Sequence, residues 1–233
     1  MTGVWLPEKA LNVENVQEER MLEEIEIVKP GDIEARSMAI IDEIMGRTEW
    51  REPELSVVRR CIHTSADFDY SKNLRFSEGA CEKAIAALKN GADIVTDTRM
   101  AMSGINKKRL AEYGGRVHCF IDDETVAAEA KARGVTRSSI CMERGAGILK
   151  PVIFAIGNAP TALIRLYELI EEGRVRPELV IGVPVGFVNV VESKKLMMKT
   201  PGPWIVAEGR KGGSNIAAAI CNALLYYKKK VES

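Results

Sequence analysis

Short apolar runs without in-and-out alternation constrain this chain most. Val152–Ile156 and Leu179–Val185 read almost wholly apolar, as do strands buried on both faces of a parallel sheet. A half-exposed antiparallel strand would instead alternate with a period of two. The same reasoning predicts strands over Val57–His63, Asp93–Thr96, Val117–Ile121 and Trp204–Ala207.

Segments of helical period separate these runs. Cys81, Ala84, Ile85 and Leu88 follow i, i+3, i+4, i+7 spacing, with Ser77 as the expected N-cap and Gly91 as the stop. A second helix is expected from Pro160 to Glu172, closed by Gly173, and a third from Ser214 onward. Asp32–Gly46 also has helical spacing, through Ile33, Met38, Ile41 and Met45. Alternating strands and helices predict an α/β fold, a three-layer αβα domain with a mostly parallel central sheet. No repeat or Pro/Gly/Ser linker divides it, so the expected organisation is an acidic N-terminal arm over residues 1–30 and one domain over 31–233. The acidic segment Val13–Ile27 is read as an extra helix or a loose arm.

Charge excludes some partners. With 33 basic and 33 acidic residues the net charge is zero, which argues against a sequence-blind nucleic-acid binder. The balance is uneven, however: residues 1–34 carry nine acids and three bases, and residues 194–233 carry eight bases and two acids. No run of about 18 apolar residues is present, so no membrane span is expected. Five scattered cysteines without a C-x-x-C pair read as reduced thiols, which points to the cytoplasm. With two histidines and no cysteine cluster, no protein-bound metal is expected.

In open parallel sheets, ligands bind beyond the carboxyl ends of the strands. His63, at the end of its predicted strand, is an imidazole able to exchange a proton near neutral pH, or a satisfied structural histidine. Strand alternation would turn Arg60 to the opposite face from His63, and the plain alternative for both Arg59 and Arg60 is a surface ion pair. His118, inside a predicted strand with no polar cluster around it, reads as structural. Gly209-Arg-Lys-Gly-Gly-Ser-Asn, before a helix, suits an anion: glycines let the backbone approach, and Arg210 and Lys211 add charge. Tight-turn chemistry explains those glycines equally well. Asn158 reads either as a helix cap or as part of an amide cradle for a carboxylate. Asp97 either orients a polar ligand or caps a neighbour. Met197 and Met198, near Lys194 and Lys195, either pack on a flat ligand or fill core gaps.

At these loops the sequence resembles the precorrin-8X methylmutase family, which includes the cobalt-precorrin-8 methylmutases. The matching stretches are Ile33–Ile41, Val58-Arg-Arg-Cys-Ile-His63, Ala155-Ile-Gly-Asn-Ala-Pro-Thr-Ala-Leu163, Gly182-Val-Pro-Val-Gly-Phe-Val188 with Glu192-Ser-Lys194, and Gly209-Arg-Lys-Gly-Gly-Ser214. They keep their order from about residue 30 to residue 226. The resemblance implies an isomerase of cobalamin biosynthesis that moves a methyl group from C-11 to C-12 of a polycarboxylate corrinoid, giving hydrogenobyrinate or its cobalt counterpart. The family's histidine falls on His63, as general acid at the ring-C nitrogen, and its substrate-binding serine and arginine fall on Ser37 and Arg60. Asn158, Lys194 and Arg210 are the further substrate-binding candidates. The resemblance implies a homodimer and an intramolecular shift that needs no methyl donor, redox cofactor or protein-bound metal. The alternative function is a non-catalytic corrinoid carrier.

Overall fold

A computed structural model describes residues 25–228. The elements run in chain order α1 (Ile33–Met45), α2 (Glu54–Ser65), α3 (Tyr70–Asn73), β1 (Leu74–Phe76), α4 (Ala80–Lys89), β2 (Asp93–Thr96), α5 (Arg99–Gly104), α6 (Lys107–Glu112), β3 (Val117–His118) and α7 (Glu124–Arg133). They continue with α8 (Arg137–Ala146), β4 (Val152–Ile156), α9 (Pro160–Glu171), β5 (Leu179–Gly182), α10 (Val190–Met197), β6 (Trp204–Ala207) and α11 (Ser214–Tyr226). The chain divides into two compact units, Met1–Ile40 and Ile41–Ser233. The first contributes the start of α1, with Arg36 paired to Glu26 at 2.7 Å. Most of the Val13–Ile27 arm lies outside the described residues.

The sheet lies in the second unit, in the order β1-β6-β5-β4-β2-β3, parallel except for β1 against β6. Its apolar runs are buried on both faces, as their lack of alternation requires. Val95, Phe154, Val180 and Val206 point to one face, where Val126, Met142, Leu163, Leu166 and Met197 cover them from α7, α8, α9 and α10. On the opposite side α11 packs against α2, α4 and α5. This is the three-layer αβα fold that the sequence pattern implies.

Four local expectations are corrected. Val57–His63 is part of helix α2, not a strand: its buried residues are Val57, Val58, Cys61 and Ile62, the i, i+1, i+4, i+5 stripe of a helix lying on α11. The Val117–Ile121 strand contracts to two residues, and Leu179–Val185 leaves the sheet after Gly182. Ser77 does not cap α4, which starts at Ala80 with Gly79 before it; its hydroxyl accepts from the Trp204 amide at 2.9 Å and so fastens β6 beside β1.

The parallel strands change direction of progression between β2 and β4, where a doubly wound sheet opens its crevice. Here the chain closes that crevice itself. Asp97, directly after β2 and 1% exposed, accepts from the amides of Gly157 (3.0 Å), Asn158 (2.8 Å) and Ala159 (2.7 Å) at the start of α9. Burial raises the Asp97 pKa, while the three amide bonds pull against that rise. Next to it, the Thr98 hydroxyl caps α5 and meets the Ser214 hydroxyl at 2.7 Å. Gly157 must be glycine, since a Cβ there would come within 2.6 Å of the Ser214 Cα.

Outside the sheet, Glu143 of α8 joins its neighbours by accepting from Arg133 at 2.7 Å and from Arg165 at 2.8 Å. The Arg133 bond is the main cause that holds its carboxyl down to about 2.

Two outcomes follow for stability. Asp97→Ala leaves three amides, two of them buried, without an acceptor and is expected to cost about 2–4 kcal/mol in urea unfolding, with Asp97→Asn costing less because one oxygen remains. An unchanged midpoint for Asp97→Ala would show that the crevice is not held this way. For Glu143, a lowered folded-state pKa gives stability that is complete above the unfolded value near 4.5 and lost as pH falls toward 2. Wild type is therefore expected to exceed Glu143→Gln by about 1–2 kcal/mol at neutral pH, after allowance for solvent screening, with the gap closing toward pH 2.

Candidate functional site

The carboxyl ends of β4, β5 and β6 lie side by side and carry the loops singled out by sequence. Residues 183–189 follow β5 and end at α10; residues 208–213 follow β6 and end at α11. Because β1 is antiparallel, its first residue, Leu74, lies beside Ala207 at this same edge. The turn between α2 and β1 therefore belongs to the same rim.

His63 stands exposed in the last turn of α2. The helical correction changes its relation to Arg60. Three residues apart on a helix, the two side chains share a face, whereas a strand would have separated them. Arg60 is half-buried, and its neighbour Arg59 makes the surface ion pair that sequence allowed, a fork on Asp42 at 2.6 and 2.8 Å. Ser37 lies in the first unit on α1, half-buried, and donates its hydroxyl to the Ile33 carbonyl at 2.8 Å.

The glycine loop is tied down on two sides. Lys194 of α10 is 1% exposed and donates to the carbonyls of Gly209 (2.9 Å) and Lys211 (2.8 Å). No carboxylate among the described residues accompanies it, and burial pulls its amine down to about 8. The amide of Gly186 donates to the Arg210 carbonyl at 3.1 Å, and Gly213 donates to Val183 at 2.9 Å. Gly212 presses so closely on Val183 that a Cβ would fall 2.1 Å from its oxygen. Lys211, expected as free charge for an anion, is committed instead to Asp67 and Asp69, both at 2.6 Å. That pairing lowers the Asp67 pKa and fastens the loop to the turn four residues beyond His63.

Arg210 remains exposed, and its guanidinium has no partner among the described residues. Beside it the 183–189 loop exposes apolar side chains: Val185, Phe187 (82%) and Val188. The Asn158 side chain is exposed as well, but the amide cradle expected around it is filled by Asp97. Sequence alone attached the acceptor to a ligand; the acceptor is a residue 61 positions earlier.

Other candidates resolve structurally. Met197 is core and Met198 packs on it. His118 is structural, though for a different reason from its supposed isolation: its Nε2 meets Asp93 Oδ2 at 2.8 Å, and Lys150 reaches the other oxygen at 2.9 Å. Two cavities, of about 300 Å³ between α8 and α9 and about 420 Å³ around Ser77 and Pro201–Pro203, lie away from these loops. Among the described residues no three His, Cys, Asp or Glu side chains gather as a metal-ligand set. No helix of the described residues is long and apolar enough to cross a membrane.

The rim thus presents an imidazole, an arginine on the same helical face, a second arginine on a braced loop and an exposed phenylalanine, a combination suited to a large, flat, acidic molecule. Comparison with known proteins agrees. The family model for precorrin-8X methylmutase matches residues 32–227. The chain is 44% identical over 207 residues to the cobalt-precorrin-8 methylmutase of Leptospira interrogans, covering 85% of this chain and 94% of that protein. It is also 44% identical over 210 residues to the enzyme of that name from Salmonella typhimurium, covering 88% and 98%. A crystal structure of the precorrin-8X methylmutase of Thermus thermophilus superposes with a TM-score of 0.77 at 42% identity, covering 83% of this chain and 96% of that one. By sequence and by fold, this chain belongs to the precorrin-8X methylmutase family.

Proposed function

We propose that this chain is a corrin-ring methylmutase of cobalamin biosynthesis, an isomerase that moves a methyl group from C-11 to C-12 of precorrin-8 or its cobalt form. The observation that carries the reading is the exposed imidazole of His63 on one helical face with Arg60, at a rim fastened to the Arg210 loop. His63 acts as general acid. It places a proton on the ring-C nitrogen, which draws electron density from the adjoining carbons and eases migration of the methyl group. When migration is complete, the same proton returns. Substrate and product have the same atoms, so the proton cycle closes without a donor or an oxidant. Assistance of this kind is worth about 10²–10⁴-fold.

Arg60 and Arg210 bind peripheral carboxylates, and Ser37 supplies a hydroxyl to the substrate, as the family match supports. Asn158 presents its side chain at the same edge. Lys194 contributes through the loop it holds. The match over residues 32–227 supports one methylmutase domain over 31–233, with residues 1–30 as an arm outside it. Exposed Val185, Phe187 and Val188 favour a rim completed by the corrinoid and a second copy in a homodimer. Scattered single cysteines favour the cytoplasm. The relatives named above are mutases, which leaves the carrier alternative without support.

His63→Ala is expected to fold and bind the corrinoid product while turnover, followed by the product's absorbance, falls by about 10² or more. Full activity in that variant would overturn the assignment. Arg60→Ala is expected to weaken product binding by about tenfold with a smaller effect on kcat; unaltered affinity would remove it from the binding set.

A further inference from the structure

Three consecutive carbonyls of the loop are held by the protein: those of Gly209 and Lys211 by Lys194 Nζ, that of Arg210 by the Gly186 amide. The peptides are trans, and in a trans peptide the N–H points opposite to the C=O. The Arg210 and Gly212 amides therefore face away from Lys194, and the Lys211 amide faces away from Gly186. None of them has an acceptor among the described residues. The Arg210 and Gly212 amides thus stay open on the side turned from Lys194, and between them the exposed Arg210 guanidinium has no protein partner among the described residues.

We infer that Lys194 is a positioning residue: by holding the carbonyls on either side of Arg210, it turns the Arg210 and Gly212 amides and the Arg210 side chain toward a carboxylate of the corrinoid. The inference rests on the methylmutase reading and assigns Lys194 a place in it without contact to substrate. A buried lysine with no counter-charge is costly, and a methionine would fill the same space with less penalty. What the amine adds is two donors at a fixed spacing, where the loop has two carbonyls to satisfy. A further tether, from Lys211 to Asp67 and Asp69, commits the Lys211 ammonium to the protein and leaves Arg210 as the loop's open charge.

The test is a double-mutant cycle on the full chain, read by titration with the corrinoid product and by steady-state kinetics. Lys194→Met is expected to raise the product Kd and KM by about tenfold, with a smaller loss in kcat. Arg210→Ala alone is expected to raise the Kd by a similar factor, yet to add less than about twofold in the Lys194→Met background, because the side chain it removes is already misplaced. Additive effects, or a Lys194→Met protein that binds as wild type does, would overturn the role of Lys194. Should the variants fail to fold, amide hydrogen exchange on the wild type decides: the amides of Arg210 and Gly212 are expected to exchange freely in the apoprotein and to be protected when product is bound. Equal exchange in both states overturns the inference. A wild type that neither binds nor turns over corrinoid would instead remove the methylmutase reading itself.

Discussion

One carboxylate decides where this protein has room for a ligand. Asp97 spends both oxygens on the three amides that open α9, at the point where a doubly wound sheet ordinarily receives a phosphate or carboxylate. With the helix N-terminus satisfied and Thr98 joined to Ser214 alongside, the crevice between β2 and β4 becomes part of the scaffold. The open chemistry moves along the strand ends to β5, β6 and the turn from α2 to β1. The fold is a common one. Its use is set by which strand-end loops keep donors for outside molecules and which turn them inward.

The strands of the sheet were legible because burial on both faces leaves a run with no polar alternation, a local property of Val152–Ile156 and of its neighbours. The error at α2 has the same origin. Val57 and Val58 are β-branched and lie close to Cys61 and Ile62, so the segment has the composition of a buried strand, while the interleaved Arg59, Arg60 and His63 are the outer side of a helix. That misreading also produced the apparent conflict between strand alternation and the family match over Arg60, which a helix removes. Three-residue β1 had too little pattern to show.

At the rim, sequence identified the residue types but not their directions. Lys194, Lys211 and Asp97 all looked available to a ligand. Their partners lie 15 to 17, 142 to 144 and 60 to 62 positions away, distances over which no local pattern reports. Arg210 differs from Lys211 only in what the α2–β1 turn provides beneath it. The glycines were informative for a narrower reason than anion binding: Gly157 and Gly212 are required by backbone contacts at 2.6 and 2.1 Å for an added Cβ.

The division of labour along the rim follows from the reaction. A methyl shift within one ring leaves every peripheral carboxylate unchanged, so contacts with those groups are as strong in the substrate as in the transition state. Such uniform binding sets affinity and orientation and adds little to the rate of the chemical step. Differential stabilisation has to come from a group acting where electron density changes, and the group proposed for that task is the His63 imidazole. On the same proposal, the open amides and guanidinium of the Arg210 loop take the other task, holding a polyanion by direction more than by net charge, which is consistent with a chain whose acids and bases balance at 33 each.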